Sequence, residues 1–194
     1  MIIILEGPDG SGKSTFARYL TTVYPQFRLR HEGPPPQDIH AIKYYSDRLE
    51  ELRELWPDYV LDRFAFGERI YGPWYRGKDG LGDIGWNIIS RQLTYVPHSD
   101  IVDRWLHILC LPPYQVCLST WASGREELIK DPAVFKATYD AYVEAGHVPG
   151  LFDVVYDYTD PLSLENVMHR IDDMVVWDKF EETLPDEPSE DIPF

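Results

Sequence analysis

The sequence predicts an α/β protein in which a mostly parallel sheet of about five strands carries helices on both faces, in three layers. Three observations support this prediction. Short apolar runs alternate along the chain with segments whose apolar residues recur at helical spacing. The first run, residues 1–6, is apolar at its first five positions and ends in Glu6, as in a strand buried on both faces. A glycine-rich stretch then joins this run to a predicted helix, and strands that alternate with helices are typical of a parallel sheet.

The first third of the chain predicts three strands and two helices. A helix should follow the glycine-rich stretch and run to about residue 23, and residues 27–31 form a second strand that a run of prolines ends. Asp38 can cap a second helix, whose apolar residues recur at intervals of three and four up to Trp56. Residues 59–63 form the third strand.

The remainder of the chain continues the alternation. Residues 64–83 are rich in glycine and aromatic residues, and they predict a short helix followed by a functional loop. The elements predicted beyond it are a helix at 84–96, a strand at 105–111, a helix from Pro132 to about residue 145, a strand at 152–159 and a last helix at 163–177.

Length and composition indicate one globular domain followed by an acidic tail. The chain has 194 residues, of which 44% are hydrophobic and 26% charged, and its formal net charge is −15. Residues 178–194 contain seven acidic residues and one lysine, so the tail carries −6 and the rest of the chain −9. We therefore expect a folded domain over residues 1–177 and a disordered tail over residues 178–194.

The charge balance and the cysteines argue against several classes of protein. Binding along a nucleic-acid backbone needs clustered Lys and Arg, which this excess of acidic residues disfavours. Two cysteines are too few for a disulfide framework and suit a reducing cytosol. Nothing before the first strand resembles a signal peptide, and no apolar run approaches about 18 residues. We expect a cytoplasmic protein that neither follows nucleic-acid backbones nor enters a membrane.

The stretch GPDGSGKS matches the phosphate-binding loop G-x-x-x-x-G-K-[ST] and lies between a predicted strand and a predicted helix. Glycines let consecutive backbone N–H groups point inward, and the amino end of the helix adds partial positive charge. Lys13 can reach the terminal phosphates of a nucleoside triphosphate, and the Ser14 hydroxyl can ligate Mg²⁺. The residues predicted to bind ATP are Gly7, Gly10, Ser11, Gly12, Lys13, Ser14 and Thr15.

Asp9 places a carboxylate inside this anion-binding loop. Because a carboxylate only accepts hydrogen bonds and repels phosphate, we expect its side chain to point to a second molecule, such as a sugar hydroxyl beside the γ-phosphate. The stretch EGPDGSGKST resembles the phosphate-binding loop of thymidylate kinases. In that family the acidic residue at this position approaches the sugar of the acceptor monophosphate, and the resemblance implies the same for Asp9. The alternative is a turn-forming role.

The sequence LDRF, at the end of the third predicted strand, resembles the DRY or DRF signature of the same family. Ligands bind at the carboxyl ends of the strands in such sheets. Asp62 would hold Mg²⁺ through water, and Arg63 would face the phosphates. The alternative is an ion pair at the end of a strand.

Three further segments are similar to motifs of nucleotide kinases. The stretch YYSDRLEEL matches Arg48 to an arginine that grips the acceptor phosphate. In FGERIYGPWYRGK, Phe66 and Tyr71 would stack on a base and Arg76 would add charge; the alternative is that these aromatic residues pack in the core. The stretch SGREELIKDPAVF resembles a lid, in which Arg125 would contact the transferring phosphoryl group; the alternative is a solvated charged loop.

These resemblances imply an ATP-dependent nucleoside monophosphate kinase, similar to thymidylate kinases, that transfers the γ-phosphate of ATP to a deoxynucleoside monophosphate with the help of Mg²⁺. The catalytic residues would be Lys13, Arg63 and Arg125. The stretch GERIYGPWYRGK is similar to a phage-type variant, which would act in the host cytoplasm. The resemblance also implies a homodimer.

Two other functions remain open at this stage. His31 and Glu32 stand where the family has an acceptor-binding arginine. In a deoxynucleoside kinase, Glu32 would act as the general base for a 5′-hydroxyl group. In a non-catalytic adaptor, ATP would bind without turnover.

The last four residues, Asp191, Ile192, Pro193 and Phe194, resemble the C-terminal tip of bacterial single-stranded-DNA-binding proteins. The Phe194 ring would fill an apolar pocket of a replication or repair protein while its terminal carboxylate meets Lys or Arg. The alternative is a solubilising acidic tail.

Overall fold

A computed structural model describes residues 1–54, 58–94, 105–123 and 129–181 of the chain. Within these ranges, the five strands form one sheet in the order β2-β3-β1-β4-β5, and every pair is parallel. The strands are β1 (Ile2–Glu6), β2 (Arg28–His31), β3 (Tyr59–Asp62), β4 (Trp105–Cys110) and β5 (Val154–Tyr156). The predicted parallel sheet is therefore confirmed.

Seven helices are present in the described ranges. They are α1 (Lys13–Val23), α2 (Ala41–Glu54), α3 (Ala65–Arg76), α4 (Gly82–Thr94), α5 (Tyr114–Ala122), α6 (Pro132–Gly146) and α7 (Pro161–Glu181). None of them is both long enough and apolar enough to cross a lipid bilayer, a finding that concerns the described ranges alone.

The two faces of the sheet bury separate hydrophobic clusters. Ile3 and Leu5 of β1 pack with residues of α1 and α7, whereas Ile2 and Ile4 pack with residues of α2 and α4. Successive side chains of a strand point to opposite faces, so the consecutive apolar residues from Ile2 to Leu5 contribute to both clusters. The sheet therefore lies between two layers of helices, which is the predicted three-layer arrangement.

Parallel pairing brings the carboxyl ends of the central strands to one edge of the sheet. His31 of β2 is in register with Asp62 of β3, and Leu5 of β1 is in register with Asp62 and with Ile108 of β4. The loops that follow β1, β2, β3 and β4 therefore meet at this edge, which is where ligands bind in open α/β sheets.

Two helices differ from the sequence-based expectation. The segment expected to be a short helix and a long loop is the 12-residue helix α3, which contains Gly72 and Pro73. A side chain at Gly72 would lie 2.9 Å from the Glu68 carboxylate and 3.0 Å from the Lys78 carbonyl, so close packing explains this glycine. Helix α5 lies between the strand predicted at 105–111 and the helix predicted from Pro132, where the sequence analysis predicts no helix; Pro113 is its N-cap residue.

Several boundaries also differ. Helix α2 begins at Ala41, so Asp38 is not its cap, and Trp56 lies outside the described residues. Helix α7 spans Pro161–Glu181, so it is longer at both ends than the helix predicted at 163–177. The predicted tip at residues 191–194 lies outside the described residues, and its docking role stays a prediction.

Candidate active site

The loop between β1 and α1 is packed tightly against the carboxyl end of β4 and against α5. A side-chain carbon at Gly7 would lie 2.2 Å from the Cys110 carbonyl oxygen, and one at Gly10 would lie 2.5 Å from that of Cys117. Both glycines also have positive φ angles, +149° and +74°. Only glycine meets both requirements, so the sequence motif corresponds to a specific backbone shape.

Lys13 lies over this loop at the start of α1. Its Nζ donates to the Pro8 carbonyl oxygen at 2.6 Å and to Ser11 Oγ at 3.1 Å, and the residue is only 5% exposed. Burial, and secondarily the nearby Arg63 guanidinium, lower the pKa of Lys13 to about 8. The ammonium group is thus poorly solvated and held where an anion in the loop could pair with it.

Ser14 and Asp62 meet between α1 and β3. The Ser14 hydroxyl donates to Asp62 Oδ2 at 2.6 Å, and Asp62 Oδ1 is buried with no hydrogen-bond partner in the described part of the chain. A hydroxyl beside a carboxylate with a free oxygen is the kind of hard-oxygen donor set that suits Mg²⁺. No cluster of three or more His, Cys, Asp or Glu residues within the described ranges could hold a metal by itself. These residues therefore fit Mg²⁺ that arrives with nucleotide phosphates.

The Asp9 side chain contacts Arg63 and Tyr71. Its Oδ1 accepts hydrogen bonds from Arg63 Nη2 and, at 3.2 Å, from the Tyr71 hydroxyl. Burial raises the pKa of Tyr71, so the hydroxyl remains protonated and can donate. Oδ2 is buried and has no hydrogen-bond partner among the described residues, which leaves an acceptor for a further donor.

A cavity of about 630 Å³ opens beside the loop, and we call it the acceptor cavity. Its walls are Asp9 and Ser14 of the phosphate-binding loop, residues 31–37 at and after the end of β2, Tyr45 of α2, and one face of α3 with the residues just before it. Cavities of this size hold nucleoside-sized ligands. A second cavity, of about 410 Å³, lies on the other side of the loop and is bordered by Gly12, Tyr19 and Tyr158.

Arg76 lies in the wall of the acceptor cavity that α3 forms. Its Nη2 donates to the Pro35 carbonyl oxygen at 2.9 Å, and its Nη1 lies 3.2 Å from Glu68 Oε1. Glu68 is 5% exposed and was not among the predicted site residues. The sequence offered one indication of a role for Glu68: it is a charged residue in a stretch that is rich in glycine and aromatic residues.

Glu32 also lines the acceptor cavity and is only 5% exposed. Its Oε1 lies 2.5 Å from Arg30 Nε, and its Oε2 lies 3.7 Å from Arg48 Nε. The two guanidinium groups hold the carboxylate at the wall of the cavity next to His31, which lies 3.4 Å from Asp62.

Three predicted residues are not in the described wall of the cavity. Phe66 is a core residue, 5.3 Å between ring centroids from Trp86 and from Phe152, because it lies on the face of α3 turned toward the core. The Arg48 guanidinium is paired with Glu51 outside the cavity lining. Arg125 lies outside the described residues.

Glu6, at the end of β1, is buried beneath the amino end of α3. Its Oε1 accepts hydrogen bonds from the backbone N–H groups of Phe64 at 2.9 Å and Gly67 at 3.3 Å. Its Oε2 lies 3.4 Å from the hydroxyl of Tyr142, which donates to it. Burial raises the pKa of Glu6 from 4.5 to about 7, although the two N–H groups and Arg63 act in the opposite direction.

Replacing Glu6 by glutamine is expected to remove a pH-dependent part of the stability. A raised pKa means that the folded state binds the proton more tightly, so the free energy of unfolding falls as pH rises from about 4.5 to 7, by at most about 3 kcal/mol. Glutamine does not titrate. In urea unfolding, wild type should therefore lose stability relative to Glu6→Gln between about pH 5 and pH 8. An unchanged difference would contradict the raised pKa.

No protein-family profile and no curated protein sequence matches this chain. Solved structures with similar folds include the YorR protein from Bacillus subtilis in complex with phosphorylated GDP, which is 16% identical with a TM-score of 0.65 over 95% of this chain and 99% of YorR. Another is deoxyadenosine kinase from M. mycoides with bound dATP, 16% identical with a TM-score of 0.56 over 89% of this chain and 100% of that enzyme. The chain thus shares the three-layer α/β fold of these two proteins.

Proposed function

We propose that the protein is an ATP-dependent kinase that phosphorylates a nucleoside or nucleotide bound in the acceptor cavity. One observation carries this proposal: Asp9, Ser14 and Arg63 line both the hollow of the phosphate-binding loop and the acceptor cavity. An acceptor in the cavity would therefore face the terminal phosphate of a donor held by the loop. Phosphoryl transfer depends on such positioning and on neutralisation of charge.

ATP is the proposed donor. The backbone N–H groups of the loop and the Lys13 ammonium would hold its phosphates, and its base would lie against Tyr158 near Gly12. The deoxyadenosine kinase of similar fold binds dATP. The proposed ATP-binding residues are Gly7, Gly10, Ser11, Gly12, Lys13, Ser14 and Thr15.

Mg²⁺ is the proposed metal, with Ser14 and Asp62 as the residues that would hold it. When bound, the ion would neutralise charge that develops on the phosphate oxygens. The Oδ1 of Asp62 supports this assignment, because it has no hydrogen-bond partner within the described ranges and a buried carboxylate oxygen without a partner is otherwise unfavourable.

The geometry of the acceptor cavity favours an uncharged nucleoside hydroxyl over a phosphate. Among the described residues, the guanidinium groups in its wall belong to Arg63 and Arg76, and each already faces a carboxylate, Asp9 and Glu68 respectively. Glu32 adds a third carboxylate. Carboxylates accept hydrogen bonds from hydroxyl and N–H groups but repel phosphate.

In this reaction the 5′-hydroxyl oxygen of the acceptor would attack the γ-phosphorus of ATP. A new bond forms between this oxygen and phosphorus, and the bond from phosphorus to the β,γ-bridging oxygen breaks, so that ADP leaves. The Glu32 carboxylate would take the hydroxyl proton. Asp9 would orient the acceptor sugar through Oδ2, while Lys13 and Arg63 would stabilise the transferring group.

A deoxynucleoside monophosphate, as for the thymidylate kinases that the motifs resemble, is the second candidate acceptor. The observation in its favour is that Arg63 lies between the donor loop and the cavity, where it could contact phosphates on both sides. This reaction would require Arg48 to leave Glu51 and turn into the cavity. Arg125 would then complete the phosphate contacts, and homodimer formation stays a prediction.

One assay distinguishes these acceptors. The purified protein is incubated with ATP, Mg²⁺ and, in separate reactions, each deoxynucleoside and each deoxynucleoside monophosphate, and formation of ADP is followed with a coupled assay. We expect turnover with at least one nucleoside. Turnover with monophosphates alone would support the second candidate instead. ATP binding in a thermal-shift measurement with no turnover of any acceptor would support the non-catalytic adaptor.

A further inference from the structure

The amino end of α3 is capped by a residue from a distant strand. Phe64 occupies the N-cap position, and among the described contacts it makes no side-chain capping bond. The N–H groups of Phe64 and Gly67, at the N-cap and third helical positions, instead both donate to Oε1 of Glu6. The first N–H groups of a helix have no partner within the helix, so the Glu6 carboxylate satisfies two that would otherwise be buried without one.

The residue immediately before this cap has an unusual backbone. Arg63 is the single non-glycine residue with positive φ in the described ranges, at +73°, a conformation that such residues adopt only when their surroundings impose it. Its N–H donates to the Leu5 carbonyl oxygen at 3.0 Å. The backbone of residues 63 and 64 is thus held from consecutive residues of β1, by the Leu5 carbonyl and by the Glu6 side chain.

This backbone conformation directs the Arg63 side chain to the reacting edge. The guanidinium group pairs with Asp9, lies 4.8 Å from the ring centroid of Tyr71 and borders both the donor loop and the acceptor cavity. Tyr71 lies on α3 itself, and Arg63 lies two residues before the helix. The start of α3 therefore positions both hydrogen-bond partners of Asp9. A shift of the start of α3 would therefore displace both Arg63 and Tyr71.

We propose that Glu6 is a positioning residue that holds the start of α3, and with it Arg63, in register with the phosphate-binding loop. Glu6 touches neither proposed substrate and acts through the backbone it binds. It ends the strand from which the loop begins, so one residue ties the donor loop to the acceptor wall. The role of Arg63 in transfer rests on the proposed function, whereas the anchoring of α3 does not.

Three variants test this inference. Glu6→Ala removes both acceptor oxygens, Glu6→Gln keeps one oxygen that can accept from the two N–H groups, and Tyr142→Phe removes the third contact of Glu6 while leaving the helix cap. Kinetics are measured well below the melting temperature of each variant. We expect Glu6→Ala to lower kcat roughly 10- to 100-fold with KM for ATP nearly unchanged, because the phosphate loop is intact while Arg63 is displaced. Glu6→Gln and Tyr142→Phe should stay within about threefold of wild type.

Hydrogen exchange provides a readout that needs no activity. The amides of Phe64 and Gly67 should exchange faster in Glu6→Ala than in wild type or Glu6→Gln, while amides of the β1–β3 ladder stay protected. If Glu6→Ala does not fold, Glu6→Asp, whose carboxylate is one methylene shorter, should show the same faster exchange and lower kcat. Unchanged exchange and wild-type kcat in Glu6→Ala or Glu6→Asp would overturn the inference, as would equal losses in Glu6→Ala and Glu6→Gln. Absence of turnover in wild type with every acceptor would count against the proposed function alone, since the exchange measurement still tests the anchor.

Discussion

Replacing Lys13 by methionine is expected to lower kcat/KM for phosphoryl transfer roughly 10³-fold while the fold is retained. The ammonium group is the buried cation over the phosphate-binding loop, 2.6 Å from the Pro8 carbonyl oxygen and 3.1 Å from Ser11 Oγ. Methionine keeps the length and apolar body of the side chain and removes the charge. The loss should therefore come from the phosphates that the charge would neutralise.

The stability of Lys13→Met should not fall with its activity. Burial lowers the pKa of Lys13 to about 8, which means that the folded protein holds the charged form less readily than water does. Removing the charge should leave the free energy of unfolding unchanged or higher, which urea unfolding measures. Lys43→Met is the matched control because Lys43 is an exposed residue that pairs with Asp47 on α2, outside both cavities. Activity of the Lys13 variant within about tenfold of wild type would contradict the proposed donor site.

The phosphate-binding loop could be predicted from sequence because its function depends on backbone shape and on consecutive residues. Glycines that admit a close carbonyl, a lysine and a hydroxyl at fixed spacing specify the site locally, and a strand and a helix must flank it. The parallel sheet could also be predicted, because a strand buried on both faces is apolar at consecutive positions, as β1 is from Ile2 to Leu5. These features need no knowledge of distant contacts.

The acceptor side was harder to predict because it depends on which face of a helix meets which neighbour. Phe66 and Arg76 both lie on α3, but the sequence did not show which way each side chain points, because the glycine-rich and aromatic stretch predicted a short helix and a loop. Once the helix is known, Glu68, Gly72 and Arg76 follow at intervals of four and share one face. Arg48 shows a second limit, because its pairing with Glu51 three residues away competes with any contact to a ligand.

Replacing Glu32 by glutamine is expected to separate the two candidate reactions. If the acceptor is a nucleoside, Glu32 takes the proton of the 5′-hydroxyl, and its loss should lower kcat roughly 10²- to 10⁴-fold with little change in KM for ATP. A monophosphate acceptor brings an ionised oxygen that needs no base, so the same substitution should change its kcat by no more than about threefold. Glutamine has nearly the same shape as glutamate and removes only the negative charge, which lies beside Arg30.

Glu51→Gln is the control that makes this result interpretable. Glu51 pairs with Arg30 at 3.0 Å and with Arg48, the same two arginines that hold Glu32, yet it does not line the acceptor cavity. Both substitutions remove one negative charge from one network, but only Glu32 borders the bound acceptor. A large loss in Glu32→Gln with normal activity in Glu51→Gln would therefore locate the effect at the reacting hydroxyl. Equal losses in both variants would mean that the network supports the fold of β2 and α2, and the general-base role would have to be abandoned.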